Sequence, residues 1–206
     1  MPATRYLYLA RHAEATPDES ALSAAGREQA RLLGERLRDR PLTAVHHGPL
    51  ARAAETARLV REQLAAPVQL RTSPAAGDYL PYLPEREELP AESADLYLTW
   101  LEQFSAAERE EGPGLAQAAL ASFTGHVEGD EDRHELVVTH NFLTGWLVRH
   151  ALDAPDWRWL GLNHANAGLT VIRYAPGRPA QLLCYNDTRH LPGELRWTGF
   201  PAEQHI

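Results

Sequence analysis

The first seventy residues alternate between short apolar segments and longer amphipathic segments, and this order restricts the possible folds more than any other feature of the chain. The apolar runs at 5–10, 42–47 and 67–71 are typical of buried strands. The segments 22–40 and 49–65 carry apolar residues at helical spacing and are predicted to be amphipathic helices. Because each helix lies between two strands, the pattern predicts a three-layer α/β/α fold with a mostly parallel central sheet.

The alternating pattern stops after the third strand. Residues 72–93 contain four prolines and no apolar periodicity, and a loop of this length within a compact domain is typical of a functional lid or a disordered segment. Helical patterns follow at about 91–108 and 114–127. We therefore expect a single domain over 1–206 that contains a lid and helical insertion at about 72–130.

Strands and helices resume in the last third of the chain. Residues 134–140 are predicted to form a strand that leads directly into a helix at 141–152. Two further strands are expected at 166–175 and 180–186, whereas the tail, 187–206, shows no clear element.

The charge and composition of the chain exclude several classes of protein. The net charge of the 206 residues is −8 at pH 7, which argues against a general nucleic-acid-binding protein. All 20 basic residues are arginine, so chemistry on a lysine amine, such as Schiff-base formation, is excluded. The only cysteine, Cys184, rules out an intrachain disulfide and a cysteine-rich zinc site.

The N-terminal residues and the apolar runs bear on the location of the protein. The start MPATRYLYLARH lacks the basic residues and the long apolar run of a signal peptide, and no apolar run approaches the length of a membrane span. We therefore expect a cytoplasmic protein that does not associate with a membrane. No pattern in the sequence predicts an oligomeric state.

Four residues with basic side chains occupy positions at which an α/β sheet binds ligands. Arg11 and His12 follow the first strand, and Arg52 lies in the first turn of the helix after the second strand. His140 ends the strand at 134–140. The carboxyl ends of parallel strands meet at one edge, where helix N-termini offer free N–H groups to anions. Each residue alone is more often a surface charge or a structural histidine, but together they predict a phosphate site.

Five segments carry a resemblance to a known family. In chain order they are LARHAEAT, LSAAGREQARLLGERL, GPLARAAETARLV, LVVTHNFLTGWLVRHAL and CYNDTRHL. Their order and spacing resemble the histidine phosphatase superfamily, which comprises the phosphoglycerate mutase-like phosphatases and mutases. The matching segments extend from residue 5 to about residue 190, so the resemblance covers nearly the whole chain.

The resemblance implies a role for each of the strand-end residues. His12 corresponds to the nucleophile that becomes phosphohistidine, and Arg11, Arg52 and His140 correspond to the residues that hold the phosphoryl group. A backbone carbonyl near Glu14 is expected to accept a hydrogen bond from one ring nitrogen of His12 and so to fix its tautomer. The resemblance implies no metal and no cofactor.

Three positions depart from the usual motifs of the family. Ala13 replaces a glycine, which is tolerable if its φ is negative. Gly48 stands where a serine is usual, so one hydroxyl near the phosphate is missing. Asn141 replaces the glycine after His140, and its side chain either reaches the phosphate or caps the following helix.

The general acid is not identified by the motifs, because the glutamate that much of the family uses after the third strand is absent. Asp78, in the proline-rich loop, is the candidate that we favour as proton donor to the leaving group. The alternatives Glu85, Glu87 and Glu88 lie further along and resemble a solvated run of charges.

The function that we expect is a metal-independent phosphatase that hydrolyses phosphomonoesters through a phosphohistidine intermediate. Its substrate is expected to be a small phosphorylated molecule or a phosphoprotein, with no nucleic-acid partner. Two alternatives stay open: a phosphomutase of the phosphoglycerate type, and a non-catalytic member of the fold that binds a phosphorylated ligand.

Overall fold

The computed structural model describes residues 1–205, which form a six-stranded sheet, a small two-stranded sheet and five α-helices. The strands are β1 (Pro2–Ala3), β2 (Arg5–Arg11), β3 (Leu42–His47), β4 (Leu70–Thr72), β5 (Val127–Glu128), β6 (Arg133–Thr139), β7 (Leu169–Tyr174) and β8 (Gln181–Asp187). The helices are α1 (Ala24–Leu37), α2 (Ala51–Gln63), α3 (Ala94–Leu101), α4 (Ala106–Phe123) and α5 (Asn141–Ala151).

The main sheet has the strand order β4–β3–β6–β2–β7–β8. The four strands from β4 to β2 are parallel to one another, and β7 pairs antiparallel with both β2 and β8. The register pairs Arg11 with Thr139 and His47 with Val138, so the carboxyl ends of β2, β6 and β3 lie side by side. The predicted α/β fold with a mostly parallel sheet is therefore confirmed, and the predicted site residues of β2 and β6 share one edge.

Alternate residues of the central strand β2 enter two different apolar cores. Leu7 and Leu9 are buried in the core that contains side chains of α4 and α5. Tyr8 and Ala10 are buried in the core that contains side chains of α1 and α2. Since successive side chains of a strand point to opposite faces, the two helix pairs cover opposite faces of the sheet.

Two sets of element boundaries differ from the sequence prediction. Strand β4 begins at Leu70 rather than at Pro67, because proline has no N–H for the sheet ladder. The helical stretch expected to run to residue 108 stops at Leu101. Helix α4 then starts after Ser105, whose hydroxyl and Glu108 form a capping box, and it continues through Pro113.

The proline-rich segment after β4 is packed against the rest of the protein. Ala76 and Leu80 are fully buried in this segment. A Cβ atom on Gly112 of α4 would lie 2.0 Å from the carbonyl oxygen of Leu80, so the helix and the segment meet backbone to backbone. This contact fixes the position of the residues between Ala76 and Leu80, which include Asp78.

Candidate active site

A cavity of about 540 Å³ opens at the carboxyl ends of β2 and β6. All six residues that the sequence places in the site line it: Arg11, His12, Arg52, Asp78, His140 and Asn141. The other lining residues are Glu19, Leu50, Tyr79, Leu80, Phe104, Glu108, Phe142 and Gly199. The strand ends and the N-termini of α2 and α5 thus bring five of the predicted residues together, and the proline-rich segment after β4 adds Asp78.

His12 is buried and its tautomer is set by the backbone. Its Nδ1 atom lies 2.8 Å from the carbonyl oxygen of Ala13. Since a carbonyl can only accept, Nδ1 carries the proton and Nε2 holds the free lone pair. The acceptor is one residue before the predicted position near Glu14, whose carboxylate instead accepts a hydrogen bond from Ser23.

The environment keeps the His12 imidazole neutral. Burial lowers its pKa to about 3, and the neighbouring His140 and the Arg11 guanidinium act in the same direction. The two imidazole rings lie with their centroids 5.0 Å apart. A neutral imidazole with a free Nε2 is the form that can act as a nucleophile.

Arg11 is held by two backbone carbonyls. Its Nη1 atom donates to the carbonyl oxygens of His164, at 2.7 Å, and Gly199, at 3.1 Å. Gly199 adopts φ +82°, and a Cβ there would lie 2.5 Å from Nη1 of Arg11. The C-terminal tail, in which we expected no clear element, therefore contributes a wall of the cavity and a support for its arginine.

Arg52 makes three polar contacts within the cavity. Its Nε atom donates to Nε2 of His12 at 3.3 Å, and its Nη2 atom donates to the Asp78 carboxylate at 2.8 Å. Its Nη1 atom lies 3.4 Å from the carboxylate of Glu19. Glu19 was not recognised in the sequence, since a glutamate in an exposed polar loop has no motif that distinguishes it.

His140 lies beneath the Asp78 carboxylate and is 1% exposed. Its Nδ1 atom lies 3.3 Å from Oδ2 of Asp78. Neither ring nitrogen of His140 has a hydrogen-bond partner among residues 1–205. Burial, with the nearby Arg52 and Arg11 guanidiniums, lowers its pKa to about 3. The lining of the cavity thus includes a neutral, buried imidazole whose ring nitrogens form no hydrogen bond with the described residues.

The side chain of Asn141 is engaged away from the cavity centre. Its Nδ2 atom donates to Asn163, and its Oδ1 atom accepts from the backbone N–H of His164. It does not cap α5, for which His140 is the N-cap residue. The predicted contact of Asn141 with phosphate is therefore restricted to its backbone N–H, in the first turn of α5.

The structure explains the two smaller departures from the family motifs. Ala13 does not have a positive φ, is fully buried and donates its backbone N–H to Thr56. Gly48 lies so close to the proline-rich segment that a Cβ would be 2.4 Å from the carbonyl oxygen of Ala76. A serine at position 48 would require this segment to move.

Of the four carboxylates that the sequence offers as the general acid, one lines the cavity. Asp78 lines it, with a side chain 34% exposed. The alternatives are exposed and lie outside its lining: Glu85, Glu87 and Glu88. Glu85 and Glu88 cap a short 3₁₀ helix instead. Within residues 1–205, no group of three or more His, Cys, Asp or Glu side chains is arranged to hold a metal ion.

The family model of the histidine phosphatase superfamily (branch 1) matches residues 7–188 of this sequence. The chain belongs to this superfamily. It is 30% identical over 198 residues to the mitochondrial serine/threonine-protein phosphatase Pgam5 of Caenorhabditis elegans and 28% identical over 199 residues to human PGAM5. Each match covers 92% of this chain, and the chain spans only 65% of the length of these relatives.

Solved structures of other proteins share the fold. A putative alpha-ribazole-5'-P phosphatase from Escherichia coli superposes with a TM-score of 0.63 at 21% identity, covering 89% of this chain and 97% of the other. A phosphoglycerate mutase from Plasmodium falciparum superposes with a TM-score of 0.60 at 19% identity, covering 93% and 96%.

The expectation of a cytoplasmic protein is wrong by comparison with these relatives, which are named as mitochondrial. It rested on the composition of the first residues and on the lack of an apolar run long enough to span a membrane. Pro2–Ala3 pair with Val127–Glu128, and Arg5–Arg11 form the central strand, so packing requirements determine that composition. Among the helices of residues 1–205, none combines the length and the apolar character needed to cross a membrane.

Proposed function

We propose that this chain hydrolyses phosphomonoesters through a covalent phosphohistidine on His12, without a metal ion. The observation that carries the proposal is the 2.8 Å hydrogen bond from Nδ1 of His12 to the Ala13 carbonyl oxygen, which leaves the Nε2 lone pair facing the Arg52 guanidinium. A nucleophile and a cation for the phosphoryl oxygens are thus neighbours in one cavity. Phosphoryl transfer depends mainly on such positioning and on charge stabilisation.

In the first step, Nε2 of His12 attacks phosphorus and forms an N–P bond as the P–O bond to the leaving group breaks. The guanidiniums of Arg11 and Arg52 stabilise the negative charge on the other phosphoryl oxygens. Once the phosphoryl oxygens have displaced it from Arg52, Asp78 takes up a proton from solvent, donates it to the departing oxygen and becomes a carboxylate again. The backbone N–H of Asn141, at the start of α5, adds a further donor.

In the second step, a water molecule attacks the phosphohistidine and the N–P electron pair returns to Nε2 of His12. The Asp78 carboxylate takes the proton of the attacking water and is ready for the next cycle. His140 donates a hydrogen bond from one ring nitrogen to a phosphoryl oxygen in both steps. Its burial and its unpartnered nitrogens support this role.

Two classes of substrate are compatible with the cavity. The relatives named as serine/threonine-protein phosphatases favour a phosphoprotein. A cavity of about 540 Å³ also admits a small phosphorylated molecule.

A phosphoglycerate-type mutase is less well supported, although one of the solved structures with this fold is a phosphoglycerate mutase. A mutase must also bind the carboxylate of its substrate. Among the described residues that line the cavity, the arginines are Arg11 and Arg52, and both are needed for the phosphoryl group. A non-catalytic phosphate-binding protein would retain the same arginines and show no turnover.

Covalent labelling tests the proposed mechanism directly. The protein is mixed with a ³²P-labelled phosphomonoester and quenched with alkali, in which a phosphohistidine survives. We expect acid-labile label on the wild type, and neither label nor hydrolysis of p-nitrophenyl phosphate with His12→Ala. The exposed His205→Gln is the matched control, and chelators are expected to leave its rate and that of the wild type unchanged.

Full turnover by His12→Ala would refute the phosphohistidine mechanism. Tight binding of vanadate without turnover by the wild type would favour the non-catalytic alternative. Conversion of 3-phosphoglycerate to 2-phosphoglycerate would favour the mutase.

A further inference from the structure

The wall of the cavity beyond the phosphoryl site is acidic and apolar. The arginines of the described lining are Arg11, which precedes His12 in the chain, and Arg52, which donates a hydrogen bond to it. The remaining charged side chains of the described lining, apart from Asp78, are the carboxylates of Glu19 and Glu108. Once a phosphoryl group occupies the arginines, its leaving group therefore faces negative charge that no cation of the lining compensates.

Glu19 is held at the mouth of the cavity by a well-defined turn. Its backbone N–H donates to the carbonyl oxygen of Thr16 at 2.8 Å. Pro17 lies within this turn, and its fixed φ restricts the backbone further. Asp18 accepts hydrogen bonds from the hydroxyls of Thr16 and Ser20. Glu19 itself adopts φ +57°, a conformation that costs a residue with a side chain some energy.

The carboxylate of Glu19 faces both the site and the solvent. It lies 3.4 Å from Nη1 of Arg52, and its side chain is 68% exposed. A phosphoryl group that binds Arg52 competes with Glu19 for this guanidinium, which then no longer compensates the Glu19 charge. Since Glu19 lines the cavity, this charge acts on a leaving group that occupies the cavity.

Glu108 supplies a second fixed negative charge at the mouth. Its carboxylate accepts hydrogen bonds from the backbone N–H and the hydroxyl of Ser105, at 2.9 and 2.7 Å. These hydrogen bonds lower its pKa, so it stays ionised. The lining also contains apolar side chains: Leu50, Leu80, Phe104 and Phe142.

We propose that Glu19 is a specificity-determining residue that directs the enzyme to phosphomonoesters with an uncharged or cationic leaving group, and against those whose leaving group carries a carboxylate. The inference rests on the proposed phosphatase function and narrows its substrate class. A phosphorylated side chain in a neutral or basic peptide, or a phosphorylated amino alcohol, fits this class. A phosphorylated hydroxy acid does not.

Three small esters that differ in the charge of the leaving group test the inference: phosphoethanolamine, ethyl phosphate and phosphoglycolate. We measure kcat/KM for each with the wild type, Glu19→Gln and the control Glu28→Gln. Glutamine keeps the length and the backbone requirement of Glu19 and removes only its charge. Glu28 lies on α1, outside the cavity lining, and its substitution removes the same charge from elsewhere on the surface.

Glu19→Gln is expected to raise kcat/KM for phosphoglycolate relative to phosphoethanolamine by roughly three- to tenfold, with ethyl phosphate between them. For each substrate, kcat/KM of the variant is divided by that of the wild type, so differences in reactivity between the leaving groups cancel. Glu28→Gln is expected to leave the ratio as in the wild type. In the wild type, the ratio of kcat/KM for phosphoglycolate to that for phosphoethanolamine is expected to rise between 0.05 and 0.5 M salt, because salt screens charges that are partly exposed to solvent.

An unchanged ratio in Glu19→Gln would overturn the inference while leaving the phosphatase function in place. Failure of the wild type to hydrolyse any of the three esters, together with p-nitrophenyl phosphate, would overturn the proposed function and this inference with it.

Discussion

The Nε atom of Arg52 lies 3.3 Å from the Nε2 atom of His12, so a guanidinium contacts the one ring nitrogen that has a free lone pair. The same guanidinium also contacts the Asp78 carboxylate. Arg52 therefore connects the proposed nucleophile with the proposed acid. When a phosphoryl group reaches His12, its oxygens must take the place of His12 and Asp78 as the hydrogen-bond acceptors of Arg52. Binding of the substrate is thus linked to the positions of both residues.

Replacement of Arg52 by lysine tests this arrangement. A lysine keeps the charge but has neither the Nε donor nor the fork of parallel N–H groups. We expect kcat/KM for p-nitrophenyl phosphate to fall by about a hundredfold, equivalent to about 2.7 kcal/mol of transition-state stabilisation. The control is Arg58→Lys on the exposed face of the same helix, where Arg58 pairs with Glu62. Equal activity of Arg52→Lys and the control would contradict the assigned role.

Replacement of Asp78 by asparagine tests the general acid. Asparagine preserves the shape but cannot donate the proton, so alkyl phosphates with poor leaving groups should slow by about 10²- to 10⁴-fold and p-nitrophenyl phosphate far less. Inorganic phosphate should also inhibit more strongly, because Arg52 loses a competing carboxylate. Glu85→Gln, outside the cavity, is the control. Uniform slowing across leaving groups would show that Asp78 is not the acid.

Replacement of Gly199 by alanine tests the contribution of the tail. The added methyl would lie 2.5 Å from Arg11 and 2.6 Å from Asn166, and φ +82° disfavours a side chain. We expect displacement of the Arg11 guanidinium to weaken vanadate binding by about tenfold, or about 1.4 kcal/mol. Gly193→Ala is the matched control, since nothing lies within 4 Å of the added atom. Unchanged vanadate affinity in Gly199→Ala would show that the tail does not position Arg11.

The buried histidines predict that acid destabilises the fold. Burial lowers the pKa of His12 and His140 to about 3 and that of His190 to about 4, below the value of 6.5 in the unfolded chain. The unfolded state then binds more protons, so this stability is complete above pH 6.5 and is lost as the pH falls towards 3 to 4. Urea unfolding between pH 7.5 and 5 should show a free energy of unfolding that decreases over this range.

The contribution of a single histidine to this pH dependence of the free energy of unfolding can be measured by substitution. Near pH 5, His190→Asn should reduce the slope of unfolding free energy against pH by about 1.4 kcal/mol per pH unit, because one proton fewer is taken up on unfolding. The exposed His126→Gln is expected to keep the wild-type slope. A free energy of unfolding that rises as the pH falls from 6.5 to 5 would contradict the prediction.

The sequence by itself determined the fold class and the location of the site. Strand and helix periodicity are local properties, and the positions of Arg11, Arg52 and His140 at the ends of periodic segments follow from them. Even Asp78, outside any regular element, was predicted to approach the site and does line the cavity. Such positions are accessible from sequence because parallel strands necessarily end at a common edge.

Only the tertiary structure decided which irregular segments meet that edge. Gly199 and Glu19 belong to a tail and a loop without periodicity, and they reach the cavity through contacts with Arg11 and Arg52 that are distant in sequence. The hydrogen bonds of the Asn141 side chain likewise depend on residues 163–164. Because these contacts are set by packing of the whole chain and not by local propensity, no short stretch of sequence encodes them.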